Sequence, residues 1–308
     1  MSSATLRLGT RGSRLALAQA HEVAGLLRRQ HPDLAVEFIT IKTSGDRDQA
    51  SSLSNMSSVG VFTKTIETAL RAGEIDIAVH SAKDLPSTMT EGLILGAVPV
   101  RAACEDVLIS NSGHTIDSLP DSAVVGTGSP RRRALLLNRR PDLRIKGIRG
   151  NLDTRLAKLD SGEYDALVLA KAGLQRLGLE AENYLSLPPD NFVPAAGQGF
   201  LAIQAREVDI ETQQLLSTID NREAHRCLEA ERLLMAALGA GCAAAVGVWA
   251  RIEGDLLQLN AVVLDLVGKR RVEAAASLAA KDRIPELAEQ VASDLRAQGA
   301  MELIAGDE

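Results

Sequence analysis

Aromatic side chains are scarce in this 308-residue chain, with four Phe, two Tyr and one Trp making up 2% of it. A core drawn from its 45% hydrophobic content must therefore be built of Leu, Ala, Val and Ile. The stacking platforms that single-stranded nucleic acids require are missing. Cysteine is also sparse: Cys104, Cys227 and Cys242 are odd in number, far apart and never in C-x-x-C spacing. That pattern argues for a reducing compartment without structural disulfides or a zinc site, and no metal ligand set is assigned. No segment approaches the roughly eighteen uninterrupted apolar residues of a membrane span. The opening stretch, Met1 to Thr10, has no cationic region followed by an apolar one. A cytoplasmic protein with neither nucleic-acid nor membrane partner is expected.

Charge is present but unevenly placed. The chain carries a net −6, yet between Arg131 and Arg176 twelve basic residues face five acidic ones, a local +7 that leaves −13 for the remainder. A basic field inside an acidic protein suits a polyanionic ligand drawn to one place, although a solvated basic face would give the same count.

The length allows two or three domains. Strands and helices alternate in the first third: strand at Leu6 to Gly9, helix over Ser13 to Arg29, strand over Val36 to Ile41, helix over Phe62 to Arg71, strand at Ile75 to Val79. This implies βαβ units and a parallel sheet covered on both faces. The pattern restarts after Leu93 to Val100, with strands at Ala123 to Gly126, Arg144 to Ile148 and Ala166 to Ala170, each leading into a helix. The two-glycine segment Pro194 to Gly199 reads as a return crossing, after which Phe200 to Ala205 is a strand able to rejoin the first lobe. From Asn221 a Leu/Ala/Glu-rich helix, three strands joined by Gly-containing turns and a last helix over Ile284 to Ala297 predict an α+β domain with antiparallel strands.

Candidate chemistry gathers at strand-to-helix junctions. In Gly126-Thr127-Gly128-Ser129-Pro130-Arg131-Arg132-Arg133, Ser129 is a natural N-cap and Pro130 fits the first helical position. Free amides beside guanidiniums make an anion site, or else an ordinary capped helix with exposed arginines. Ile148-Arg149-Gly150-Asn151 with Arg155 is a second junction, and Lys171 with Arg176 follows a third strand. Guanidiniums bind carboxylates bidentately, and ligands of open α/β sheets sit at the carboxyl ends of strands. The first lobe offers Thr10-Arg11-Gly12-Ser13 and His80-Ser81-Ala82-Lys83-Asp84. Asp84 is a candidate general acid or stabiliser of a cationic intermediate, or simply a cap or ion-pair partner. Cys242 lies in a loop of small residues, Gly239 to Ala245, where a thiol is open to an electrophile, though free cysteines are commonly inert.

Together the stretches Gly9 to Ser13, Ala78 to Pro86, Gly126 to Arg132, Arg149 to Asn151 with Thr154-Arg155, Pro194 to Gly199 and Gly241-Cys242 resemble the porphobilinogen deaminase family, in order and spacing, from about residue 5 to about residue 300. The resemblance implies an α/β fold of two periplasmic-binding-protein-like lobes with mixed, mostly parallel sheets, plus a small C-terminal α+β domain with an antiparallel sheet. The corresponding division is 1–99 with 200–218, 100–199, and 219–308. It implies a transferase that condenses four porphobilinogen molecules into hydroxymethylbilane on a dipyrromethane cofactor, as a monomer. Cys242 is then the thioether anchor and Asp84 the catalytic carboxylate. Lys83, Ser81, Ser129, Thr127, Gly128, Arg131 and Arg132 match cofactor-binding positions, and Arg11, Ser13, Arg149, Arg155, Arg176, Phe62 and Gln198 match substrate-binding ones.

Three positions depart from the family pattern. Asn55 and Val59 stand where lysines are expected in a lid leading to Phe62, and Ala245 replaces a proline near the anchor. A non-enzymatic binder of organic anions would also explain two lobes and many arginines, but it leaves Cys242 and the third domain without a purpose.

Overall fold

The computed structural model describes residues 5–42, 63–181, 183–241, 243–279 and 283–306. These fall into two compact units, Met1–Ala102 with Phe200–Leu228, and Ala103–Gly199 with Glu229–Glu308.

The first unit is built on a five-stranded sheet of β1 (Thr5–Thr10), β2 (Ala35–Thr40), β3 (Ile77–Ser81), β4 (Leu93–Ala97) and β10 (Leu201–Arg206), in the order β2-β1-β3-β10-β4. β1 runs parallel to β2 and β3, whereas β10 is antiparallel to both β3 and β4. The sheet is therefore mixed rather than wholly parallel, because the strand that follows the return crossing enters from the opposite end. Helix α1 (Arg14–Gln30) starts where the Ser13 side chain accepts a hydrogen bond from the Ala16 amide. It buries Val23 and Leu27 against Leu6, Leu8 and Ile203 on one face of the sheet. Helix α2 (Lys64–Arg71) buries Ile66 and Leu70 with Ile75 and Ala78 in a second core. Helix α6 (Ile210–Ser217) contributes Leu216 to the first.

The second unit repeats this order with β5 (Asp106–Ile109), β6 (Val124–Gly126), β7 (Arg144–Lys146), β8 (Ala166–Ala170) and β9 (Leu185–Leu187), arranged β7-β6-β8-β5-β9. β6 is parallel to β7 and β8, and β5 is antiparallel to β8 and β9. Helices α3 (Pro130–Arg139), α4 (Leu152–Asp160) and α5 (Lys171–Leu177) follow β6, β7 and β8. A second, three-stranded antiparallel sheet of β11 (Ala245–Glu253), β12 (Leu256–Leu264) and β13 (Arg271–Ala279) belongs to the same unit. Helix α7 (Arg222–Ala237) leads to it, and α8 (Ile284–Ala297) and α9 (Ala300–Ala305) follow it.

The two sheets of this unit share a core: Ala134, Leu135 and Leu136 of α3 pack with Ala245, Val262 and Leu264. At the β12–β13 turn Gly268 has φ +71, and a Cβ there would stand 2.5 Å from both the Ala134 carbonyl oxygen and the Asn138 amide nitrogen. The Asn138 side chain donates to the Gly268 carbonyl at 2.8 Å. The turn thus lies directly on the backbone of α3, at a distance that only glycine permits.

Sequence periodicity finds most of these elements but passes over β5, β9, α6 and α9. β5 is only four residues long, and its fully buried run opens on a charged residue, Asp106, so it lacks the alternation that marks a half-buried strand.

Candidate active site

In the second unit the parallel strands β6, β7 and β8 end at one sheet edge, and each end opens a helix. At the first junction Thr127 is buried, and its hydroxyl accepts from the Ser129 amide at 3.2 Å. Ser129 caps α3 by accepting from the Arg132 amide, with Pro130 in the first turn. Gly128 is exposed between them, and a Cβ on it would come within 3.3 Å of the Ile148 carbonyl. At the second junction Asn151 caps α4 through the Thr154 amide, Arg149 is exposed, and Arg155 donates from Nε to the Gly150 carbonyl at 2.9 Å.

Arg131 and Arg132 point inward, at 3% and 7% exposure. Their shared partner is Asp106, which is wholly buried and which the sequence pattern did not single out. Arg131 donates from Nη2 to Oδ2 at 2.8 Å, and Arg132 donates from Nε and Nη2 to Oδ1 at 3.1 and 2.7 Å. Backbone carbonyls take further donors: Val193 from Arg131 at 2.7 Å and Val168 from Arg132 at 3.0 Å. Gln198 is buried beside them and donates from Nε2 to the Cys104 carbonyl and to Asp106, at 2.8 and 2.9 Å. The third consecutive arginine, Arg133, turns away toward the Leu266 carbonyl at the β12–β13 turn.

Burial pushes the Asp106 carboxyl up, but the adjacent Arg131 and Arg132 outweigh it and hold the group well below the usual carboxylate range. Burial, and then the charge of Arg132, lower the Arg131 guanidinium, with Asp106 opposing. Burial and the same Arg132 charge lower Arg155. Two guanidiniums against one carboxylate leave this buried group at +1, with a third cation, Arg155, felt nearby. The buried Nε of Arg131 has no hydrogen-bond partner among the described residues. Arg176 donates from Nη2 to the Gly199 carbonyl at 3.3 Å. Lys171 lies 3.3 Å from the Ser186 hydroxyl and 3.9 Å from Glu105.

Not all of the basic field belongs to this edge. Arg139 is paired with Asp117, Arg140 with Asp142, and Lys146 with Glu163, each pair at the surface. The charge count in the sequence therefore sums a buried arginine cluster and a solvated face.

In the first unit β1 and β3 are parallel neighbours, so Arg11 and Ser13 share an edge with Ser81, Lys83 and Asp84. Ser81 accepts from the buried Gln19 amide at 2.8 Å, which ties α1 to the end of β3. A single 3-10 turn, Ala82–Asp84, follows and leaves Asp84 exposed beside half-buried Lys83. Beneath it His80 is buried, and desolvation pushes its imidazolium down to about 4. Phe62, Asn55, Val59 and Cys242 lie outside the described residues; Gly241 and Ala243 flank the last of them.

Comparison with known proteins places this edge chemistry in a family. Residues 6–214 match the model described as "Porphobilinogen deaminase, dipyromethane cofactor binding domain", and residues 225–297 match "Porphobilinogen deaminase, C-terminal domain". A porphobilinogen deaminase of Roseiflexus castenholzii is 44% identical over 98% of this chain and 99% of its own length. That of Desulforudis audaxviator is 46% identical over 97% and 96%. Among solved structures, a periplasmic VFT2 domain of BvgS from Bordetella pertussis overlaps with a TM-score of 0.41 at 16% identity, over 70% of this chain and 86% of that one, a likeness too slight to bear on function. With two domain models in sequence and full-length relatives above 40% identity, the chain belongs to the porphobilinogen deaminase family.

Proposed function

We propose that this chain joins four porphobilinogen molecules head to tail, releasing one ammonia for each, and frees the linear tetrapyrrole hydroxymethylbilane with water. The observation that carries this reading is the buried arginine cluster at the strand ends, within the stretch that matches the cofactor-binding domain. The dipyrromethane, held through a thioether to Cys242, supplies the pyrrole carbon to which the first incoming unit is joined. The donor set suits such a group. Guanidiniums, hydroxyls and a helix N-terminus are matched to carboxylates, and the buried Nε of Arg131 still needs an acceptor.

In this reading Arg131, Arg132, Ser129, Thr127, Gly128, Lys83 and Ser81 hold the acetate and propionate groups of the cofactor. Arg11, Ser13, Arg149, Arg155, Arg176 and Phe62 receive the substrate, and Gln198 contributes indirectly. Asp84, exposed on its short turn, accepts hydrogen bonds from the aminomethyl group and stands beside the carbon that becomes cationic as ammonia departs. Gln198, being buried, acts through the arginine it touches. The working partition is residues 1–99 with 200–218, 100–199, and 219–308 carrying Cys242. The protein acts as a cytoplasmic monomer whose partner is porphobilinogen rather than nucleic acid or membrane. No helix among the described residues is long and apolar enough to cross a membrane. The test is to supply purified protein with porphobilinogen and follow both products. One ammonia per molecule consumed, with hydroxymethylbilane formed, supports the reading, and absence of consumption overturns it.

A further inference from the structure

We propose that Asp106 is the positioning residue of the carboxylate-binding edge: it fixes Arg131 and Arg132 side by side and halves their charge, so that one ligand carboxylate completes the cluster. This rests on the reading that the edge binds a carboxylate-bearing cofactor.

The backbone beneath Asp106 is held on both sides, because Asp106 pairs with Ala170 of β8 and Leu187 of β9. Its two oxygens take four donors: Arg131 Nη2, Arg132 Nε, Arg132 Nη2 and Gln198 Nε2, all between 2.7 and 3.1 Å. Arg132 is gripped along its Nε–Nη2 edge, and its Nη1 is engaged by the Val168 carbonyl. Its plane is therefore fixed from two sides. Arg131 is held only through its two terminal nitrogens, and its buried Nε is left over.

Two guanidiniums this deeply buried cannot stand together without an anion, since an unpaired buried charge is strongly unfavourable. A second internal carboxylate would neutralise the pair and remove any attraction for a ligand. One leaves a residual charge with a defined direction. The Gln198 amide adds a further arm, tying the return crossing to the same carboxylate.

The experiment uses full-length protein purified from cells unable to make porphobilinogen, incubated with graded hydroxymethylbilane. Uptake is read by intact mass well below the melting temperature, as the addition of one hydroxymethylbilane less the water released when the thiol replaces its hydroxyl. For Asp106→Asn the half-saturating concentration should rise about tenfold or more, as for loss of a charge-assisted contact. A residue that only stabilises the fold would lower the melting temperature or the plateau and leave half-saturation unmoved, and that result overturns the inference. If Asp106→Asn does not fold, Gln198→Met removes one arm of the same network. It should raise half-saturation by a smaller factor of about three, and an unchanged value counts against the inference equally. Failure of the unsubstituted protein to take up any adduct overturns the functional reading itself, and this inference with it.

Discussion

His80 and Asp84 are four residues apart and meet opposite environments. His80, in β3, is 6% exposed with its pKa near 4, whereas Asp84 stands in solvent at the end of the following turn. Because the folded value for His80 lies below the unfolded value of about 6.5, its stabilising contribution is complete above pH 6.5 and fades as pH falls toward 4. Between pH 7 and pH 5 this one group should cost the protein about 2 kcal/mol. Urea titrations of the wild type and His80→Gln at the two pH values check it, and the variant should lose less on acidification. For Asp84→Asn we expect a protein of unchanged melting temperature that still carries its adduct but turns over about 100-fold or more slowly. Near-normal product formation would remove the catalytic assignment. The residues at these edges were legible because hydroxyl, glycine and arginine recur at each junction. Asp106 was not, since nothing in a linear sequence indicates that an acid twenty-five positions before Arg131 becomes its partner.

Elements were legible where periodicity was long. The helices α1 and α8 fall close to their expected bounds, while the short strands β5 and β9, which no helix follows directly, carry too little pattern to register. The dependence of one element on another was also hidden. The β12–β13 turn reads as an ordinary glycine turn, yet Gly268 lies on the backbone of α3, the helix that presents Arg131 and Arg132. Gly268→Ala combines a left-handed φ with a Cβ driven into that helix and should destabilise by about 2–4 kcal/mol. Chemical denaturation measures the loss, and a change below about 0.5 kcal/mol would mean that the turn can move off the helix. Ser129→Ala removes the cap of the same helix and should cost about 1 kcal/mol by the same assay.

Across the whole molecule, the acidic net charge and the sparse aromatics argue against a nucleic-acid partner, and the basic segment points to an anionic ligand. They could not say how the +7 divides between the buried edge and the paired surface arginines, because that depends on acids far away in sequence, such as Asp117 for Arg139. Arg149, exposed at the second junction, receives the substrate in the proposed function. Arg149→Leu should alter the distribution of enzyme-bound intermediates, with shorter adducts accumulating in mass spectra of protein quenched during turnover, and an unchanged distribution would remove it from the site. The central claim, that this chain builds its product on a primer anchored at Cys242, is tested most directly by the intact denatured mass of freshly purified protein beside Cys242→Ala. The account expects a two-pyrrole addition on the first and none on the second. An addition absent from both, and not acquired on incubation with porphobilinogen or hydroxymethylbilane, would contradict it and favour a protein that only binds organic anions.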